Sequence, residues 1–185
     1  IPHLALQVPE ESLKEYLGQW EETPYTGRAY LPHETPRAAY AAMITHMDTS
    51  VGRIVALLEE LGLTGDTIVF FASDNGVTHL GPDHVDFDFF ESAGGLRGFK
   101  GSVWEGGIRV PLIARWKGKI APGTTTDHIS AFQDMMPTLA ELAGIEVEGS
   151  DGVSFAPTLL GSGTQEAHEH LIWDFAGYGG QLAVR

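Results

Sequence analysis

The chain has no cysteine among its 185 residues. Disulfides and thiolate metal sites are excluded, and the compartment stays open. Positive charge is also scarce. Eleven Lys and Arg stand against 25 Asp and Glu, a formal net charge of −14 and a pI of about 4.8. No Lys or Arg occurs between Lys119 and Arg185. This balance argues against nucleic acid or an anionic membrane surface as partner. An anionic ligand must then be held by local charge against an unfavourable overall field. No stretch is long and apolar enough to span a membrane. Internal repeats and low-complexity segments are absent. There is no initiator Met, and Ile1-Pro2-His3-Leu4-Ala5-Leu6 reads as the end of a strand.

What is present is globular. Hydrophobic residues make up 43% and charged residues 19%, values of a folding chain and not of a disordered one. The length suffices to bury a core and to form one domain, or one and a fraction. Helical and extended patterns alternate, which predicts an α/β fold with a largely parallel sheet. Pro9-Glu10-Glu11-Ser12 opens a short helix through Leu17, stopped by Gly18. Residues 19–33 read as a loop, either a surface connection or a partial cover for a cleft. Thr35-Pro36 then caps a long helix. Its apolar stripe is Met43, Met47, Val51, Ile54, Leu58 and Leu61, and Gly62 ends it. His46 and Asp48 within it read as structural or solvated.

The most informative stretch runs from Thr67 to Pro111. Thr67-Ile68-Val69-Phe70-Phe71-Ala72 reads as a buried strand. It ends in Ser73-Asp74-Asn75-Gly76, at the end of a strand where ligands sit in open α/β sheets. Asp74 and Asn75 offer a carboxylate and an amide oxygen side by side, and Gly76 permits a sharp turn behind them. These are hard donors, suited to calcium or magnesium rather than zinc. Gly94 to Pro111 is dense in glycine and carries Lys100 between small residues, a natural point charge for an anion. It is no nucleotide P-loop, since Gly101 and not Ser or Thr follows the lysine. Between the two motifs, residues 78–92 hold His79, Asp83, His84, Asp86, Asp88 and Glu91. Their spacing is not that of an EF-hand, and a solvated acidic loop is the reading.

Ser73-Asp74-Asn75-Gly76, followed by Leu96-Arg97-Gly98-Phe99-Lys100-Gly101 and Glu105-Gly106-Gly107-Ile108-Arg109-Val110-Pro111, resembles the type I sulfatases of the alkaline phosphatase superfamily. Several motifs in the right order carry this; a lone Asp-Asn-Gly is also a common turn. The resemblance covers nearly the whole chain as the second half of a sulfatase catalytic domain. It implies an alkaline phosphatase-like α/β fold, incomplete here, over residues 1–162. Residues 163–185 would begin a small antiparallel C-terminal subdomain.

The activity implied is hydrolysis of a sulfate ester. In that family a Cys or Ser of a Cys/Ser-x-Pro-x-Arg motif is oxidised to formylglycine. Its hydrate attacks sulfur, while a divalent cation, usually calcium, stabilises charge on the oxygens. Asp74 and Asn75 would supply half the metal shell and Lys100 would hold a sulfate oxygen. His3, matched through Pro2-His3 and Pro9-Glu10, would protonate the leaving oxygen; an ordinary loop histidine is the alternative. The motif of the nucleophile does not occur, and Thr35-Pro36-Arg37 lacks its spacing. The nucleophile and remaining ligands are therefore expected from a preceding half. Partners implied are a sulfated small molecule or sulfated glycan, in a periplasmic, lysosomal or secreted setting; the oligomeric state is left open. Two other readings stand: a phosphoesterase or phosphonate hydrolase of the same superfamily, against which Asn75 speaks because those relatives place His after the Asp, and a non-catalytic α/β binding module.

The remaining chain reads as structure. Glu105 and Arg109 fit an ion pair that shapes the glycine-rich turn, and Arg97 is similar. Val110 to Trp116 predicts a strand, and Asp134 to Ala143 a helix with Pro137 in its first turn and Gly144 as stop. His170 to Phe175 and Gln181 to Val184 read as strands, with His168 and His170 a possible metal pair on one face.

Overall fold

The computed structural model describes residues 3, 5–27, 30–78 and 88–185. They divide into two units, residues 1–62 with 74–110, and residues 63–73 with 111–185.

In the first unit the longest element is a helix, α2 (Pro36–Glu60), preceded by the short α1 (Glu10–Lys14). Pro36 at the first helical position needs no partner for a missing N–H. The next two N–H groups, of Arg37 and Ala38, donate to the two carboxylate oxygens of Glu22 at 3.0 and 2.9 Å. Thr35 occupies the cap position but its side chain makes no capping bond. Thus the expected Thr cap is replaced by a carboxylate from the preceding loop, which also complements the helix dipole. Leu61 and Gly62, the latter at φ +69, end the helix as its sequence predicts.

Ala38, Ala39 and Ala42 are fully buried. Such small side chains let the N-terminal segment pack closely on this half of the helix. Leu6, Tyr25, Ala39 and Met43 form the core, with Val8, Leu13, Tyr40 and Val77 against it. The loop before α2 is therefore more than a surface connection, because it plants Tyr25 in that core. The stripe expected along the whole of α2 is buried only at its start: Ile54 is 57% and Leu61 59% exposed. His46 is structural, its Nδ1 3.2 Å from Ser12 Oγ of α1. A 3-10 turn at Asp88–Phe90 is held by aromatic contacts, the Phe90 ring centroid lying 5.2 Å from Trp20, edge-on, and 5.6 Å from Tyr40, tilted. The acidic stretch 79–87, with His79, Asp83, His84 and Asp86, lies outside the described residues.

In the second unit β1 (Val69–Ala72) pairs with β2 (Leu112–Arg115). Both occur where their β-branched and aromatic runs predict them. Two expectations are corrected. β1 is half-buried, with Ala72 exposed, and not fully enclosed. The ladder is antiparallel, Val69 opposite Arg115 and Ala72 opposite Leu112. A parallel pair needs a crossover that returns the chain to the opposite end of the sheet. Here Ala72 and Leu112 are neighbours, so the intervening chain leaves and rejoins at one end. Trp116 Nε1 donates to Gly65 O at 2.6 Å and fastens the strand exit.

The helix α4 (Met135–Ala143) follows a 3-10 turn at Phe132–Asp134 and stops at Gly144, φ +70, as predicted. A further helix, α5 (Ala156–Leu160), packs on it. The final ladder, β3 (Ile172–Phe175) with β4 (Gln181–Val184), is also antiparallel, and starts two residues later than the sequence suggests. The architecture is a partial α/β arrangement with two small sheets, both antiparallel among the described residues.

Candidate active site

Within the first unit backbone bonds link the Asp74-Asn75 turn to the loop of Lys100, and a side-chain contact adds His3. Gly76 N donates to Gly107 O at 2.9 Å, and Lys100 N donates to Val77 O at 2.8 Å. Gly106 N donates to Arg97 O at 2.8 Å. The turn at 73–76 is thereby stitched to the glycine-rich loop. The approach is close enough that glycine is required: a Cβ on Gly76 would fall 1.8 Å from Gly106 O, and one on Gly106 2.0 Å from Gly98 O. Gly76 was expected for the turn it permits. The structure gives it a different reason, the contact of one backbone with another.

On this scaffold the Lys100 side chain reaches His3, Nζ to Nε2 at 3.3 Å. An ammonium only donates, so in this contact Nε2 is the acceptor. The His3 ring also meets Tyr30 edge-on, centroids 6.0 Å apart. Lys100, His3 and Asp74 are exposed and Asn75 is half-buried. The result is a solvent-facing cation beside an imidazole, linked through Val77 to an adjacent carboxylate and amide. Such a group can hold an anion and pass it a proton.

For a divalent cation the donor chemistry fits in part. Asp74 and Asn75 present hard oxygens on consecutive residues, as calcium or magnesium prefers. Among the described residues no group of three or more acids and histidines is placed to hold a metal ion. Two side chains fill less than half of a shell of six or more oxygens.

The other charged residues of the loop are structural. Arg109 Nη1 lies 3.6 Å from Glu105 Oε2 across α3 (Glu105–Ile108). The Arg97 guanidinium lies 3.6 Å over the Trp104 ring.

In the second unit the possible metal pair His168 and His170 is corrected. His168 Nε2 is 2.8 Å from Asp134 Oδ1, its side chain 11% exposed and that of Asp134 0%. The same carboxylate accepts from Ala131 N at 2.7 Å and Val153 N at 2.9 Å. His168 is thus a partner of a buried carboxylate. Sequence reasoning missed this cluster because His168 lies 34 residues from Asp134. Asp134 just ahead of a helix was the only local signal.

A family model described as Sulfatase matches residues 2–145. The chain is 41% identical to steryl-sulfatase of Mus musculus over 72% of this chain and 22% of the relative. It is 37% identical to arylsulfatase A of Bos taurus over 83% of this chain and 29% of the relative. The crystal structure of Ps i-CgsB in complex with k-i-k-neocarrahexaose is similar over 100% of this chain and 37% of that one, at TM-score 0.73 and 27% identity. The phosphonate monoester hydrolase SpPMH from Silicibacter pomeroyi is similar at TM-score 0.56 and 25% identity, over 79% of this chain and 27% of that one. The chain therefore spans under a third of the length of these curated relatives.

Proposed function

Because the chain belongs to the sulfatase family, we propose that it is part of a sulfuric ester hydrolase and supplies the anion-holding and proton-donating side of its site. The observation that carries this reading is the 3.3 Å contact of Lys100 Nζ with His3 Nε2, on a loop fastened to the Asp74-Asn75 turn. Lys100 binds a sulfate oxygen as a point charge, and in doing so releases Nε2 of His3. The freed Nε2 would then take up a proton from water, and His3 would give that proton to the alcohol oxygen as its bond to sulfur breaks, returning to neutral imidazole. Asp74 and Asn75 would supply oxygen ligands to a calcium or magnesium ion, which would neutralise sulfate charge.

The nucleophile comes from outside these 185 residues, which hold neither a cysteine nor a Ser-x-Pro-x-Arg sequence. In this reading it is a formylglycine in a preceding half of the protein, and the segment alone is inactive. The substrate is a sulfated small molecule or glycan; the similar structure Ps i-CgsB carries a neocarrahexaose. A phosphonate hydrolase is the second reading, favoured by the similarity to SpPMH. Asn75, in place of a histidine ligand, favours sulfate.

The test is full-length protein made in cells that generate formylglycine, assayed with 4-nitrophenyl sulfate, 4-nitrophenyl phosphate and a phenylphosphonate ester. Preferred turnover of the sulfate, lost on chelation and in Asp74→Ala, supports the reading. Faster turnover of the phosphonate ester moves the assignment to the second. Hydrolysis by the 185-residue segment above a heat-treated control overturns the requirement for an outside nucleophile.

A further inference from the structure

Asn75 is the sole asparagine of the chain, and a glycine, Gly76, follows it. Asparagine ahead of glycine is open to attack by its own backbone, because glycine puts no Cβ beside the reacting atoms. The attacking atom is the Gly76 nitrogen and the target is Asn75 Cγ, two groups already tethered for ring closure. The fold restrains that nitrogen. Gly76 N donates to Gly107 O at 2.9 Å, and one residue on Val77 O accepts from Lys100 N at 2.8 Å. Asn75 and Gly76 are half-buried, so water reaches the turn.

We propose that Asn75-Gly76 is a self-modification site, silenced in the folded protein by the Gly76–Gly107 bond. It is released when the turn at 73–77 parts from the loop at 97–107. In the reaction a bond forms between Gly76 N and Asn75 Cγ. The bond from Cγ to the side-chain nitrogen breaks, and that nitrogen leaves as ammonia with the proton Gly76 gives up. The cyclic imide then takes up one water at either carbonyl and opens to aspartate or to isoaspartate. Water is the one co-reactant, and nothing is oxidised or reduced.

Each stage conflicts with the closed turn. The nucleophile must surrender the proton that binds Gly107 O. The imide nitrogen carries no proton and cannot donate to that carbonyl again. Isoaspartate adds a methylene to the main chain where space is least, since even a Cβ on Gly76 would fall 1.8 Å from Gly106 O. Aspartate adds a second carboxylate next to Asp74, and neighbouring like charges repel. A turn that opens long enough to react therefore does not close as before. Hydrogen exchange at the Gly76 amide needs the same opening and the same loss of a proton, which ties the two rates together.

The experiment incubates the full-length protein at neutral pH, native and in denaturing guanidinium chloride. Modification is read from the mass gain of the peptide that carries Asn75 and from labelling by an isoaspartyl methyltransferase. The native protein is expected to react more slowly by about tenfold or more, the factor that an opening cost of about 1.4 kcal/mol gives. Exchange of the Gly76 amide should be slowed to the same extent within about threefold. Gly107→Ala displaces the acceptor without altering the dipeptide, because its Cβ would lie 2.2 Å from Ser102 O. In cooperatively melting protein it should speed modification by about fivefold or more. Equal rates in the native and unfolded protein overturn the restraint, and no modification in guanidinium overturns the site. A folded Gly107→Ala variant that reacts no faster than the parent overturns the role of the Gly76–Gly107 bond. If that variant does not fold, the native-to-unfolded comparison decides. None of these readouts uses sulfate ester turnover, so the result is independent of the sulfatase reading.

Discussion

Asp134 is fully enclosed in the second unit, and its Oδ1 stands 2.8 Å from His168 Nε2. With the amides of Ala131 and Val153 it binds three donors at once. One carboxylate thereby ties the start of α4 to the chain before α5 and to the approach to β3. Thr138 completes the attachment, its hydroxyl donating to Asp134 O at 2.6 Å and accepting from Phe155 N at 3.0 Å.

Removing this carboxylate strands two backbone N–H groups and an imidazole. Each buried donor left unpaired costs about 1–3 kcal/mol. Asp134→Ala is therefore expected to lose about 3 kcal/mol or more. His168→Ala, which leaves both backbone bonds in place, should lose about half as much. Urea denaturation gives the order directly. Equal losses in the two variants would show that the amide contacts contribute nothing.

The start of α2 gives a second test. Glu22 accepts from both N–H groups that follow Pro36, whereas Thr35 makes no side-chain cap. Glu22→Ala should cost about 1 kcal/mol, the usual worth of a cap, and Thr35→Ala roughly a few tenths. Thermal melts of the two variants distinguish the carboxylate cap from the expected threonine cap. A larger loss from Thr35→Ala would reverse the assignment.

Two glycines separate contact from propensity. A Cβ on Gly76 collides with Gly106 O, while one on Gly52, inside α2, meets nothing within 4 Å. Gly52→Ala should stabilise by roughly 0.5–1 kcal/mol, since alanine is the better helix former. Gly76→Ala must push the 73–76 turn off the loop that holds Lys100. It should lower sulfate ester turnover even though no proposed active group is altered. Full activity in a folded Gly76→Ala enzyme would mean that the close backbone contact does not position the site.

These cases show what the sequence discloses and what it withholds. Periodic and punctuated features are legible: α2 and α4 both end at the glycines that mark them. The ion pair of Glu105 with Arg109 follows from four-residue spacing on one turn. Lys100 and His3 belong to separate motifs that the resemblance puts at one sulfate, and the direct contact between them, across 97 residues, is visible only in the structure. Glu22 at the cap and His168 on Asp134 are equally non-local. No residue pattern near either announces its partner. Strand direction was also hidden, because a four-residue run such as Val69–Ala72 pairs either way. Its neighbour is fixed by where the following loop returns.

The last prediction separates the lysine of the loop from its other charges. Lys100 is exposed and contacts His3, so its ammonium is available to an incoming anion. Arg97 lies over Trp104, and Arg109 is paired with Glu105. In the full-length enzyme Lys100→Ala should reduce turnover of 4-nitrophenyl sulfate by about 10²-fold or more, as loss of an electrostatic stabiliser does. The fold should be unaffected, because the Lys100 backbone bond to Val77 remains. Glu105→Gln should retain activity and lose less than about 1 kcal/mol of stability, since the pair is partly solvated. Steady-state kinetics with parallel melting curves reads both effects. Near-parental turnover in folded Lys100→Ala protein would remove Lys100 from the site. A deep loss of turnover in Glu105→Gln at unchanged stability would show that the Glu105–Arg109 pair positions the loop for the reaction.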